Sequence, residues 1–490
     1  MATGGRADAH DTVGDTASEG DADGFAEALA LVGRERPSGT AGGSVPARDG
    51  ARTGGNTPSR DGARTQDGSP GRMGQPTSPG KGHLLPWPDA RALAVRAGRA
   101  HEPLSRSVPL EHSLGQLLAG PLVALCDLPP FDTSAMDGWA VAGPGPWTIS
   151  SAGSVLAGHA PSVPLKDGSA VRIATGARIP PEATAVLRSE QARTDPDHRL
   201  LFAHRPTNPG QDIRPQGQEC RSGDRLLPAS SVITPAVLGM AAAAGYDELS
   251  IVVRPRAEVL ILGDELLTKG LPHDGLIRDA LGPLMGPWLT ALGADVTATR
   301  LLGDDADALH QAITTSDADL LLTTGGTAAG PVDHVHSVLR KAGAELLVDS
   351  VAVRPGHPML LAALDIQGSG GARYVVGLPG NPLAAVSGLL TLALPLLRGL
   401  NGLSPQEPYR APLRDAVPGH PDDTRLVPAI HREGRLVPLR FGGPAMLRGI
   451  AAADGLVVVE PGGARPGDVV ELLDLPWAFG AQTASPRRFT

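Results

Sequence analysis

Between residues 257 and 397, apolar runs of strand length alternate with stretches whose apolar positions recur every three or four residues. The strand-like runs fall at 257–262, 295–302, 318–323 and 373–376, and the helical ones at 282–292, 305–315, 334–342 and 383–397. Alternation of this kind predicts right-handed βαβ units around a mostly parallel sheet. On either side the texture changes. Residues 127–176 and 409–476 break into short β-prone runs cut by glycine and proline, which predicts two compact β-rich units. Helices are predicted at 89–98, behind Pro86 and Pro88, at 110–118, stopped by Gly120 and Pro121, and at 234–243. The charged, proline-containing stretch 194–209 reads as a loop. Residues 1–82 hold almost no large apolar side chain after Val32 and contain a near-repeat, Arg48-Asp49-Gly50-Ala51-Arg52-Thr53 and Arg60-Asp61-Gly62-Ala63-Arg64-Thr65. Such a segment buries too little apolar surface to offset chain entropy and is expected to be disordered, with one weak helix at 25–33.

Composition narrows this picture. A chain of 490 residues is too long for one ordinary core. Hydrophobic residues make up 41% but aromatics only 3%, so the interiors must be built mainly from Ala, Val and Leu. A formal charge of −9 gives no global drive toward nucleic acid or anionic membrane, so an anionic ligand must be captured by a local site. Cys126 and Cys220 have neither metal-ligand nor redox-pair spacing and read as inert thiols. No secretory leader pattern opens the chain, and the longest apolar stretch, 389–397, is short and contains Thr391 and Pro395. The expected location is the cytoplasm.

In open α/β sheets ligands gather outside the carboxyl ends of the strands, so the loops there are the candidates. Gly263-Asp264-Glu265-Leu266 follows the first strand; its acids either cap a helix or hold a cation. In Gly303-Asp304-Asp305 one acid can cap the next helix while the other is left for a metal. Thr323-Thr324-Gly325-Gly326-Thr327-Ala328-Ala329-Gly330 is either a tight turn or a phosphate cradle of backbone amides, with Asp333 just beyond. Arg354-Pro355-Gly356-His357-Pro358 is a rigid turn carrying a cation suited to oxyanions and an imidazole that donates when protonated, unless it is simply solvated. Gly377-Leu378-Pro379-Gly380-Asn381-Pro382 ends a strand in a turn locked by two prolines that exposes backbone amides. Two further motifs lie in the first β-rich unit: the run 129–140, PPFDTSAMDGWA, and the run 172–177, RIATGA. Ordinary loop packing is the alternative for both.

Taken in order, PPFDTSAMDGWA, RIATGA, GDEL, TTGGTAAGPVD, RPGHP and GLPGNP resemble the signatures of the molybdopterin molybdenumtransferase family, the MoeA-type proteins that include the E domain of gephyrin. The resemblance runs from about Leu84 to Leu475. It implies an α/β multidomain fold: a linker domain from 83–130 and 213–250, a β-rich lobe at 131–212, a central parallel-sheet molybdopterin-binding (MoaB/MogA-like) domain at 251–402 and a C-terminal β-domain at 403–477, with a long low-complexity tail at 1–82 and a second tail at 478–490 outside. It also implies a homodimer whose active cleft is shared between subunits. Molybdate would be inserted into adenylylated molybdopterin with release of AMP, assisted by Mg²⁺ or Zn²⁺, and a separate molybdopterin adenylyltransferase is a possible partner. Carried over residue by residue, Glu265, Asp304 and Asp333 form the acidic set around the cation, and Asp137 and Thr175 reach into the partner's cleft. Gly325, Gly326, Thr327 and Gly330 cradle phosphate, while Arg354, His357, Gly380 and Asn381 serve cofactor and oxyanion.

Several positions depart from the family pattern. Ile261-Leu262 stand where Ser/Thr-Thr is common, and Ala328 replaces a serine in the glycine loop. Ala280-Leu281 replace Ser/Thr-Asn, Pro444-Ala445 replace Ser-Gly, and Gly217-Gln218-Glu219 replace Gly-Glu-Asp. Each lost hydrogen bond to a charged ligand costs about 1.5–3 kcal/mol. The retained carboxylates point to an active transferase with an altered pocket. The alternatives are a non-catalytic molybdopterin-binding paralogue or scaffold, and an enzyme acting on a different nucleotide or pterin.

Overall fold

The computed structural model describes residues 84–159, 163–327, 334–365 and 372–476. The segments 1–82 and 478–490, and the helix expected at 25–33, lie outside these residues.

Six strands form the central sheet: β1 Arg256–Leu262, β2 Asp295–Leu302, β3 Leu320–Thr324, β4 Glu345–Asp349, β5 Leu360–Asp365 and β6 Ala372–Leu378. Their order is β2-β1-β3-β6-β5-β4. The first four are parallel, as the alternation predicts, and β5 and β4 each run antiparallel to the strand before them in that order. Those two strands were not expected. Their short apolar runs show no period of their own, and an antiparallel connection needs no crossover helix to announce it.

Alternate residues of β1 serve opposite faces. Ala257, Val259 and Ile261 join one core with Met285, Trp288, Leu289 and Leu396, while Leu260 joins another with Leu309, Ile313, Val338 and Leu339. Helices Gly282–Ala291 and Pro382–Leu400 therefore cover one face, and Ala306–Thr315 and Val335–Lys341 the other. The helical run Pro382–Leu400, π-helical from Leu389 to Ala393, is long and apolar enough to cross a membrane by length and composition, but it is largely buried as a core helix.

The helix Trp87–Gly98 lies across this core helix rather than on the strands that follow it. Trp87 Nε1 donates to Thr391 Oγ1 at 3.0 Å, and a Cβ on Gly98 would stand 2.2 Å from the Leu396 carbonyl oxygen. A helix at 110–118 does not form. Ser105–Pro109 is a strand paired with Glu248–Val252, Leu110–His112 is one 3₁₀ turn, and Leu117 and Leu118 bridge to Val232 and Ile251. Gly115 at φ +75° breaks any helix there, and Leu118 satisfies a small core with Leu122, Ile233, Leu249 and Ile251 instead. The helix predicted at 234–243 forms as Pro235–Ala243, with the Thr234 hydroxyl accepting from the Val237 amide.

The β-rich lobe is a six-stranded sheet that includes Gly138–Val141, Trp147–Val155, Ser169–Ile173 and Ala185–Arg188. The stretch expected as a loop at 194–209 instead contributes to a hairpin of Ala192–Asp195 and Leu200–Ala203. Its mostly exposed side chains leave little pattern to read.

A seven-stranded sheet fills the C-terminal region, and two of its members come from elsewhere in the chain. Leu85–Pro86 pairs with Val351–Arg354, which in turn runs parallel to Thr424–Arg432. The strand leading into the Arg354–Pro358 turn is thus part of the C-terminal sheet.

Candidate active site

The register of the parallel strands aligns their carboxyl ends. Leu262 of β1 stands opposite Leu302 of β2, Ile261 opposite Thr324 of β3, and Thr324 opposite Leu378 of β6. Four of the five loops picked out from the sequence, those after β1, β2, β3 and β6, are therefore neighbours along one edge, whereas Arg354–Pro358, expected among them, follows a strand of the C-terminal sheet. Gly263, at φ +140°, turns the chain so that Glu265 folds back over it; an added Cβ there would lie 2.6 Å from Glu265 Oε2. Asp264 Oδ1 accepts from the Asp304 amide at 3.3 Å and sits 2.5 Å from where a Gly303 Cβ would be. Asp264, given no role from the sequence, is the link between the two acidic loops. Asp305 is the helix cap, accepting from the amides of Asp307 and Ala308 at 2.8 and 3.1 Å, which leaves Asp304 outside that capping role.

Gly325 and Gly326 have φ of +89° and +64°, a backbone region that a side chain strains. Gly325 donates to the Leu378 carbonyl at 2.8 Å, and its Cα lies 3.6 Å from where a Gly380 Cβ would be, so the glycine loop and the Pro379–Asn381 turn touch. Thr327 is buried, with its methyl close over Gly377. Gly330 and Asp333 lie outside the described residues. Among the described residues no group of three or more His, Cys, Asp or Glu side chains is placed to hold a metal ion.

Beyond the same turn opens a cleft of about 730 Å³ between the core helix and the C-terminal sheet. Its lining includes Arg354, His357, Asn381, Arg425, Arg440 and Phe441. Arg354 Nε donates to Asp423 Oδ2 at 2.7 Å. Burial, and then the charge of Arg354, push the His357 imidazole below its ordinary pKa, with Asp423 opposing, so the neutral ring is favoured over the protonated form that could donate from both nitrogens. The amides of Leu383 and Ala384, at the start of the core helix, are taken up by the Pro444 carbonyl at 2.8 and 3.2 Å. Those two helix-start donors are not offered to a ligand. Asp423, Arg425 and Arg440 escaped the sequence reading. Their only trace was a dense run of charge at 420–425 in a unit read as plain β structure.

Asp137, just before the strand Gly138–Val141, and Thr175, in the turn after Ser169–Ile173, meet at one end of these paired strands of the lobe sheet. Asp137 Oδ1 accepts from the Thr175 amide at 2.7 Å and from its hydroxyl at 3.0 Å, and these bonds hold the carboxyl below the usual carboxylate range. No hydrogen bond among the described residues joins this pair to the loops of the central sheet within one chain. Three of the replaced family positions are apolar in structure as well as in name. Ile261 is core, Leu281 is buried, and the Leu262 side chain lies 3.2 Å from where a Gly326 Cβ would be.

The chain matches the MoeA N-terminal region (domain I and II) over residues 86–245, the probable molybdopterin binding domain over 258–399 and the MoeA C-terminal region (domain IV) over 410–475. Molybdopterin molybdenumtransferase 2 of Mycobacterium tuberculosis is 34% identical over 400 residues, covering 76% of this chain and 93% of its own. A molybdopterin molybdenumtransferase of Staphylococcus aureus is 30% identical over 382 residues, covering 73% and 88%. A crystal structure of a molybdopterin biosynthesis MoeA protein from Pyrococcus superposes with a TM-score of 0.68 at 25% identity, covering 80% of this chain and 99% of that one. Six motifs in family order, the sheet edge that gathers three of them, and relatives matched along nearly their full length lead to one conclusion: the chain belongs to the molybdopterin molybdenumtransferase family.

Proposed function

We propose that this protein inserts molybdate into adenylylated molybdopterin with release of AMP. The observation that carries the reading is the contact between two unlike sites. A carboxylate-bearing glycine edge and an arginine-lined cleft meet at the Pro379–Asn381 turn, whose Gly380 abuts Gly325 and whose Asn381 lines the cleft. Cleaving a phosphoanhydride beside a bound oxyanion requires that combination of a hard-cation site, fixed amides and guanidinium groups. A cleft of this volume also lies in the range typical of small-molecule sites.

Glu265 and Asp304, with Asp333, would hold the divalent cation. Their all-carboxylate donor set suits Mg²⁺ better than Zn²⁺. When bound, that ion would neutralise charge on the anhydride. The glycine amides at 325 and 326 orient phosphate, and Arg354, with the neutral His357, faces molybdate. The division into linker domain, lobe, central domain and C-terminal domain at 130/131, 212/213, 250/251 and 402/403 belongs to the same reading. So does a cytoplasmic homodimer in which Asp137 and Thr175 complete the partner's cleft, supplied with substrate by a molybdopterin adenylyltransferase.

The test is turnover of adenylylated molybdopterin with molybdate and Mg²⁺, following AMP release and active cofactor. Molybdate-dependent AMP release that disappears in Glu265→Ala is the expected result. Tight nucleotide binding without turnover would assign the chain a non-catalytic role.

A further inference from the structure

Three arginines and a histidine line the cleft, and among the described residues no carboxylate does. One carboxylate nevertheless stands directly behind that lining. The Asp423 side chain is 4% exposed and takes Arg354 Nε at 2.7 Å, while Arg354 is 47% exposed. Strand pairing sets Arg354 beside Arg425, so the buried acid is bonded to one of the three cleft cations and lies two residues from a second. The nearby His420 does not neutralise it. His420 Nδ1 accepts from the amides of Asp422 and Asp423 at 3.3 and 3.0 Å, so that nitrogen carries no proton to share with the carboxylate 3.3 Å away. His357 adds little positive charge, because burial favours its neutral ring. The charge balance of the cleft therefore turns on the Arg354–Asp423 pair.

We propose that Asp423 is a positioning residue that fixes Arg354 in the cleft wall and, by offsetting its charge, limits how tightly the cleft holds a tetrahedral dianion. The proposal rests on the reading of this cleft as the molybdate site. Its physical sense is that molybdate has to be handed on. Gripping it equally in ground and transition states lowers KM without raising kcat, so uncompensated guanidinium charge would tighten binding without helping transfer. A buried carboxylate repels a nearby dianion through a low-dielectric wall, where the effect is larger than in water.

The experiment is calorimetric molybdate binding by the full chain, with molybdate KM and kcat for AMP release alongside. Asp423→Asn keeps an oxygen to accept from Arg354 but removes the charge. It should bind molybdate about tenfold more tightly and lower KM without raising kcat. Arg354→Gln, which removes a cation from the cleft wall, should instead weaken molybdate binding, and adding Asp423→Asn to it should recover part of that loss, a compensation that a merely structural role would not produce. If Asp423→Asn does not fold, the double variant is set against Arg354→Gln alone, and binding no tighter than in that single variant overturns the proposal. Unchanged or weaker binding by folded Asp423→Asn also overturns it and leaves the molybdate site standing. No molybdate binding by folded wild type or by Asp423→Asn would remove the site assignment and the proposal together.

Discussion

Asp264 shows how a residue without an assigned role shapes the site. Its carboxylate ties the Asp304 amide to the Glu265 loop, so the relative placement of the two acids depends on it. Asp264→Ala should lower the rate of AMP release about tenfold or more at unchanged melting temperature, because small misplacements of reacting groups are costly. Rates equal to wild type would show that the acidic loops align without it. His357 makes a pH prediction. Its folded-state pKa lies below the ordinary value of 6.5, so the unfolded chain takes the proton at higher pH than the folded chain does. The stability that comes from keeping the ring neutral is complete above the unfolded value and is lost as pH falls through the lowered folded one. Urea unfolding at about pH 7.5 and about pH 5.5 should show a loss on acidification that is smaller in His357→Gln. An identical loss in both proteins would place the effect elsewhere.

At the scale of elements, close backbone approach positions the functional motifs. Gly138 follows Asp137 in a strand whose neighbour leaves no room, since a Cβ would fall 2.1 Å from the Leu187 carbonyl oxygen. Gly138→Ala should cost about 1–3 kcal/mol or more in denaturant unfolding and disturb the Asp137–Thr175 pair with it. The helix Trp87–Gly98 is fastened to the core helix by the buried Trp87–Thr391 hydrogen bond. Thr391→Val leaves the indole N–H unpaired and should cost about 1–3 kcal/mol, whereas a neutral result would mean that water takes its place. The helix predicted at 110–118 failed for a reason on the same scale. Three-residue apolar spacing is compatible with a helix, but Gly115 and the pairing of 117–118 with distant strands prevailed.

For the whole molecule, the proposed cleft completed by a second copy can be tested directly. Asp137→Ala and Glu265→Ala, each inactive alone, should on subunit exchange recover up to about a quarter of wild-type AMP release, because each mixed dimer holds one intact cleft. No recovery, with mixed dimers demonstrated by mass, would place both residues in the same subunit's site.

The parallel sheet, its crossover helices and the loops at its edge were legible in the sequence, because period and glycine placement are local properties of the chain. The capping role of Asp305 was legible for the same reason, as the side chain acts within its own turn. What only tertiary structure decided was pairing across distance. Val351–Arg354 leaves the central block for the C-terminal sheet, and this brings Arg354 to Asp423, 69 residues away. It also builds the cleft against Arg425 and Arg440. A carboxylate's partner depends on which strands lie side by side, and no periodicity along one segment encodes its neighbour.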